Sequence, residues 1–189
     1  MSSRLQQFFF IFRYRYLYGF TRKLRKLLFV FLGMEVGKGT FLPSMFVTWP
    51  HQIRLGKDCR LETGIHFKFD GIWKEGPCIQ IGNRNFIGNG CEFNIQTGIV
   101  IGDDCLIASG CRFIDHDHSI IPGKLIREQS CSSKSIIIEN NVWLGANAII
   151  LKGVSIGQGS VIAAGAVVNK PIPSNEIWAG VPAKKIGTR

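Results

Sequence analysis

Eighteen six-residue units run along this chain, opening at positions 36, 42, 48, 55, 61, 67, 81, 87, 93, 101, 107, 113, 138, 144, 150, 156, 162 and 168. Most begin with Ile, Leu, Val or Phe and usually continue with Gly or Ala. A small or branched residue follows in fifth place, as in Ile101-Gly102-Asp103-Asp104-Cys105-Leu106. A period of six means a short strand and a turn, with equivalent inward positions stacked coil on coil about 4.8 Å apart. Extra residues follow only the units at 48, 67, 93 and 113, which are the third, sixth, ninth and twelfth, so three units make one coil. The expected fold is an all-β solenoid of about six three-sided coils, in which no coil buries its apolar row alone. All insertions leave the prism at one corner, and such clustering marks a functional face.

The 189 residues, 46% of them hydrophobic, fit one core-forming domain. It is expected over 34–189, with residues 1–33 as a distinct preceding segment. Cys59, Cys91, Cys105 and Cys111 all stand in the fifth place of their units, so they read as buried free thiols serving as small apolar side chains. Cys78 and Cys131 lie in insertions and follow no repeat position. Reduced thiols and the lack of a cleavable signal peptide point to a cytoplasmic location.

The net charge of +10 is unevenly spread, because the first 32 residues hold seven basic residues and no acidic one. The runs Phe8-Phe9-Phe10-Ile11-Phe12 and Leu27-Leu28-Phe29-Val30-Phe31-Leu32 are interleaved with Arg13, Arg15, Arg22, Lys23, Arg25 and Lys26. Neither run approaches the roughly 18 residues of a spanning helix. The segment reads as an amphipathic interfacial helix, with cations toward anionic headgroups and the protein peripheral on the inner face of the cell membrane. The competing expectation is a cap over the open first coil. No nucleic-acid-binding module accompanies the cations, so nucleic acid is not an expected partner.

Departures from a repeat concentrate at functional sites, and the worst-fitting unit is Phe113-Ile114-Asp115-His116-Asp117-His118. It puts charged Asp117 in fifth place, and about 19 further residues follow before the repeat resumes. A positioned neutral histidine there can take a proton from an attacking hydroxyl or amine. Asp115 and Asp117 either orient that histidine or are solvated turn acids. Metal binding is not expected, since neither His51 nor His66 takes the matching place in a neighbouring coil. Gly37-Lys38-Gly39-Thr40 lacks the spacing of a phosphate loop, and Thr40 fits the repeat as its small inward residue.

Ile138-Glu139-Asn140-Asn141-Val142-Trp143-Leu144-Gly145-Ala146, the histidine unit before a long loop, and Gly180-Val181-Pro182-Ala183-Lys184 together carry a family resemblance. Over about residues 34–187 the chain resembles the hexapeptide-repeat acyltransferases with a left-handed parallel β-helix, of the sugar O-acetyltransferase type. The resemblance implies acetyl-CoA as co-substrate, a homotrimer with sites between neighbouring prisms, and a sugar acceptor, free or lipid-linked, in cell-surface polysaccharide or lipopolysaccharide assembly. It makes His118, sixth in its unit, the expected general base, with His116 in reserve. It assigns Ala146, Ala164, Asn169, Lys170 and Lys184 to the cofactor, with Trp143 walling the reacting end. Gly145 keeps the backbone open to a pantetheine arm, and an amide near Gly145 or Ala146 would stabilise the oxyanion. Where relatives place an acceptor-binding asparagine this chain has Gly88, with Asn89 beside it. Asn94 and Gln96, one coil below the histidine unit, are therefore the expected acceptor contacts. The alternatives are an N-acetyltransferase acting on an amino sugar and a non-catalytic trimeric membrane scaffold.

Overall fold

A computed structural model describes residues 3–189, apart from the side chains of residues 14–16. Met1, Ser2 and the side chain of Arg15 thus lie outside the described residues, although the expectation for the N-terminal segment included them.

The chain winds into a left-handed parallel β-helix whose three faces are taken here in chain order. The first face stacks Glu35–Val36, Ile53–Leu55, Ile79–Ile81, Ile99–Ile101, Ile136–Ile138 and Ser155–Ile156. The second stacks Arg60–Leu61, Phe86–Ile87, Leu106–Ile107, Trp143–Leu144, Val161–Ile162 and Glu176–Ala179. The antiparallel strand Lys184–Thr188 then closes the C-terminal end. Met45–Val47, Ile65–Phe69, Glu92–Ile95, Arg112–Ile114, Ile149–Leu151 and Val167–Val168 form the third face.

The inward columns explain the repeat. Leu61, Ile87, Ile107, Leu144 and Ile162 are in register on the second face. On the third, Phe67, Phe93 and Phe113 stack with ring centroids 4.8 and 4.6 Å apart, the spacing of the strands that carry them. Most fifth places are buried corners. Cys59, Cys91, Cys105 and Cys111 are free and buried there, and burial pushes the Cys59 and Cys105 thiols up, keeping them protonated. Where a fifth place is polar, backbone answers it: Asn85 donates to Gly102 O (2.8 Å) and accepts from Cys105 N–H (2.7 Å).

One unit boundary needs correction. Val47, not Thr48, is in register with Phe67, so the third unit opens one residue earlier than the pattern suggests. Thr48 instead works at the corner, where its hydroxyl accepts the Phe69 N–H (2.8 Å).

Before the first coil, α1 (Ser3–Ile11) and α2 (Tyr18–Phe31) are joined through a π-helical turn, Phe12–Leu17. Polar side chains of α2 cap the open coil. Lys26 Nζ donates to Gly37 O (2.8 Å) and Thr40 O (3.0 Å), and Arg25 donates to Leu42 O (3.2 Å). Among the described residues no helix is long and apolar enough to cross a membrane.

Candidate functional site

The third-face strand Arg112–Ile114 pairs with Glu92–Ile95 with Ile114 opposite Asn94. Carrying that register one residue further sets Asp115 over Ile95, in the inward column. Asp115 is fully buried, 0% exposed. A buried carboxylate is costly unless donors surround it, and here three successive amides do so. The Gln96 N–H donates to one oxygen (2.8 Å), and those of Thr97 (2.7 Å) and Gly98 (2.8 Å) to the other. The first oxygen also meets His116 Nδ1 at 3.0 Å, and the His116 side chain is only 16% exposed. An ionised carboxylate can only accept, so Nδ1 carries the hydrogen, and in the neutral imidazole Nε2 then keeps its lone pair.

Beyond Asp115 the chain leaves the prism. His116–His118 pairs antiparallel with Cys131–Ser133, so the long insertion opens as a two-stranded ribbon. The fifth-place expectation for Asp117 is thereby corrected: its unit ends at Asp115, and Asp117 faces outward. Lys152, from the coil above, holds the ribbon, with Nζ 2.5 Å from Asp117 Oδ1 and also bonded to Ser132 Oγ, while Ser132 itself donates to Asp117 (2.9 Å). The hydrogen bonds from Lys152 and Ser132 hold the Asp117 carboxyl below its usual range. Thr97 and Ser133 hydroxyls join at 2.6 Å, tying the other ribbon strand to the coil below.

The two candidate histidines have different surroundings. His118 is exposed, and its ring lies 3.6 Å from the Cys131 thiol. His116 is oriented by a buried carboxylate and borders a hollow of about 250 Å³ with Ile114, Asp117, Leu151, Lys152 and Asn169. Asn169 is therefore the one expected cofactor residue that the fold brings beside a histidine. Ala146 and Ala164 stack at the corner between the second and third faces, where Gly165 N–H donates to Ala146 O (2.8 Å). Trp143 lies on the second face, in a separate hollow of about 310 Å³ with Leu106, Asn141 and Val161. Within one chain His116 and Trp143 thus open on different faces. Lys170 reaches over the Trp178 ring, 5.1 Å from its centroid, and Lys184 is exposed on the closing strand.

Two expectations change in detail. A Cβ on Gly145 would come within 2.5 Å of Ala164 N, so its missing side chain admits the next coil rather than a ligand. Its N–H is committed to Ile162 O (2.7 Å) and so is not available to an oxyanion. Asn94 lies directly below Ile114, with a buried Oδ1 that has no partner among the described residues. Gln96 contributes its backbone, by holding Asp115. Lys152 and Ser132 carry no motif and were not expected; only their neighbourhood in three dimensions reveals them. A hollow of about 740 Å³ lies between α2 and the second face and includes Tyr18, Arg22, Arg60, Glu62 and Asn89.

A family profile described as the hexapeptide repeat of succinyl-transferase matches residues 78–111 and 135–170. The galactoside O-acetyltransferase of Escherichia coli K12 is 34% identical over 151 residues, covering 78% of this chain, which in turn spans 66% of that protein's length. A hexapeptide-repeat-containing acetyltransferase of Vibrio cholerae, solved with acetyl coenzyme A, superposes with a TM-score of 0.61 at 28% identity, covering 88% of this chain and 76% of that one. A Bacillus cereus N-acyltransferase, solved with dTDP-4-amino-4,6-dideoxyglucose and coenzyme A, shares the fold. Its TM-score is 0.75 at 22% identity, covering 89% of this chain and 88% of that one.

Proposed function

Because this chain belongs to the hexapeptide-repeat acyltransferases, we propose that it transfers an acetyl group from acetyl-CoA to a sugar hydroxyl, with His116 as general base. The observation that carries the choice of base is the buried Asp115–His116 pair beside the Asn169 hollow. Asp115 fixes the imidazole with Nδ1 protonated, so Nε2 takes the proton as the hydroxyl oxygen attacks the thioester carbonyl. The new O–C bond forms, the C–S bond breaks, and the proton passes from His116 to the departing sulfur. The Ala146 amide meets the charge developing on the carbonyl oxygen. Asn94, with its unpartnered oxygen, and Gln96 stay as acceptor contacts, while Ala164, Asn169, Lys170 and Lys184 line the coenzyme path.

His116 and Trp143 border a single substrate only if a second copy presents its second face to the first copy's histidine corner. The functional unit in this reading is a homotrimer with three sites between copies. Its acceptor belongs to cell-surface glycan assembly, and residues 1–32 attach the protein to the membrane where a lipid-linked acceptor would lie. The solenoid over 34–189 is the transferase domain.

Steady-state kinetics with hydroxyl and amine acceptors test the chemistry. We expect His116→Ala to lower acetyl transfer about 10²–10⁴-fold with coenzyme affinity nearly intact, and His118→Ala to be much milder. A nearly fully active His116→Ala enzyme would remove His116 from the mechanism, and preferential transfer to amines would reassign the acceptor class.

A further inference from the structure

An amphipathic helix beside a folded domain ordinarily turns its apolar stripe inward. Here α2 turns only Phe29 of its apolar residues against the core and leaves the rest of the stripe outward. Arg22, Arg25 and Lys26 face the prism, where Arg25 and Lys26 bond first-coil carbonyls and the Arg22 guanidinium lies over the Tyr18 and Phe41 rings. Leu17, the last residue of the π-helical turn, and Phe20, Leu24, Leu27 and Phe31 of α2, spaced 3, 4, 3 and 4 apart, form one outward stripe, each more than half exposed and Phe31 88% exposed. Phe8 to Ile11 are four successive helical positions, so at about 100° per residue they point in every direction, and all are exposed.

We propose that α1 and the outer stripe of α2 are a bilayer-docking surface that inserts at the acyl-chain boundary by apolar burial, with most α2 cations withheld from lipid by the cap. This rests on the membrane attachment proposed above and specifies how it is made. Two features select lipid over a second copy. The 3–4 spacing lasts only about two heptads, short of the three or four that sustain a coiled coil. The flanking positions Thr21, Lys23, Leu28 and Val30 offer no opposite charges to pair across such a seam. A helix apolar on every side, as at Phe8 to Ile11, suits a surrounding apolar medium better than a one-sided protein groove. No acidic residue precedes Glu35, and exposed Arg4 and Lys23 are suited to the headgroup level.

The test is co-sedimentation of the full chain with phosphatidylcholine vesicles, and with vesicles also containing phosphatidylglycerol, at low and at about 1 M salt, where charge attraction is screened. We expect binding to both compositions to persist in high salt. The double variant Phe20→Ser, Phe31→Ser should bind about 100-fold more weakly, given the burial lost with two phenylalanines. Its circular dichroism and solution mass should be unchanged. Binding confined to the anionic vesicles and stripped by salt would overturn this inference while leaving membrane attachment standing. Failure to bind either vesicle would sink both. A change in solution mass without vesicles would reassign the stripe to contact between copies. If the double variant does not fold, Leu24→Gln, expected to weaken binding about tenfold, carries the same comparison.

Discussion

At the scale of single residues, Asp115 organises the site. Its carboxylate serves two masters, the imidazole of His116 and the amides of Gln96, Thr97 and Gly98 in the coil below. Replacing it with alanine would leave those donors without their acceptor in a part-buried turn. We expect Asp115→Ala to destabilise the fold by about 3 kcal/mol, measured by urea unfolding, in addition to the activity lost through a misoriented histidine. An unfolding midpoint equal to that of the unaltered chain would show that water replaces the carboxylate freely. The sequence exposed an acidic and histidine-rich break in the repeat, but choosing between His116 and His118 was beyond it. Two residues apart in an extended segment, they share a side. What separates them is where the chain leaves the prism, which happens just after Asp115.

At the scale of elements, the ribbon formed by His116–His118 and Cys131–Ser133 rests on two polar clasps, Lys152 to Asp117 and Ser132, and Thr97 to Ser133. Because the folded Asp117 carboxyl titrates below its ordinary value of 3.8, the stabilisation it contributes is fully present above that value. It is lost as the pH falls through the lower folded one. Amide exchange, corrected for intrinsic rates, should therefore show residues 116–118 protected at pH 5 and increasingly open below 3.8. Lys152→Met should open the same strand already at pH 5 and lower turnover, whereas unchanged protection would remove Lys152 as a clasp. The N-terminal segment was legible as amphipathic, and the structure shows the capping contacts that one of its two expectations called for. Its cations, read from the sequence as headgroup ligands, in part bond coil carbonyls because those carbonyls have no neighbouring coil below them.

At the scale of the whole molecule, three faces divide the labour. The second carries Trp143, the corner after the third carries His116, and a prism cannot bend one toward the other, since its register is locked by ladders on every side. Sites shared between copies predict complementation. Co-expressed His116→Ala and Trp143→Ala chains, each impaired alone, should form mixed assemblies in which about a quarter of the sites draw an intact histidine and an intact tryptophan from different copies. Activity no greater than the sum of the two separate variants would place the whole site within one chain.

The six-residue period by itself determined the coil, the three faces, the buried cysteines and the corner where insertions leave, because a repeat that short admits one strand and one turn and forces like positions to stack. Two boundaries escaped it: the one at Val47, since a corner threonine can stand in for an inward residue in the pattern, and the end of the histidine unit at Asp115, where the chain leaves for the ribbon. Only the tertiary structure decided which carboxylate turns inward, which histidine it holds, that Gly145 yields its space to the next coil, and which face of α2 meets the prism. Most of those outcomes depend on hydrogen-bond partners 11 to 35 residues away in sequence, such as Gly37 for Lys26, Gly98 for Asp115 and Lys152 for Asp117. Local pattern carries no record of partners that far apart.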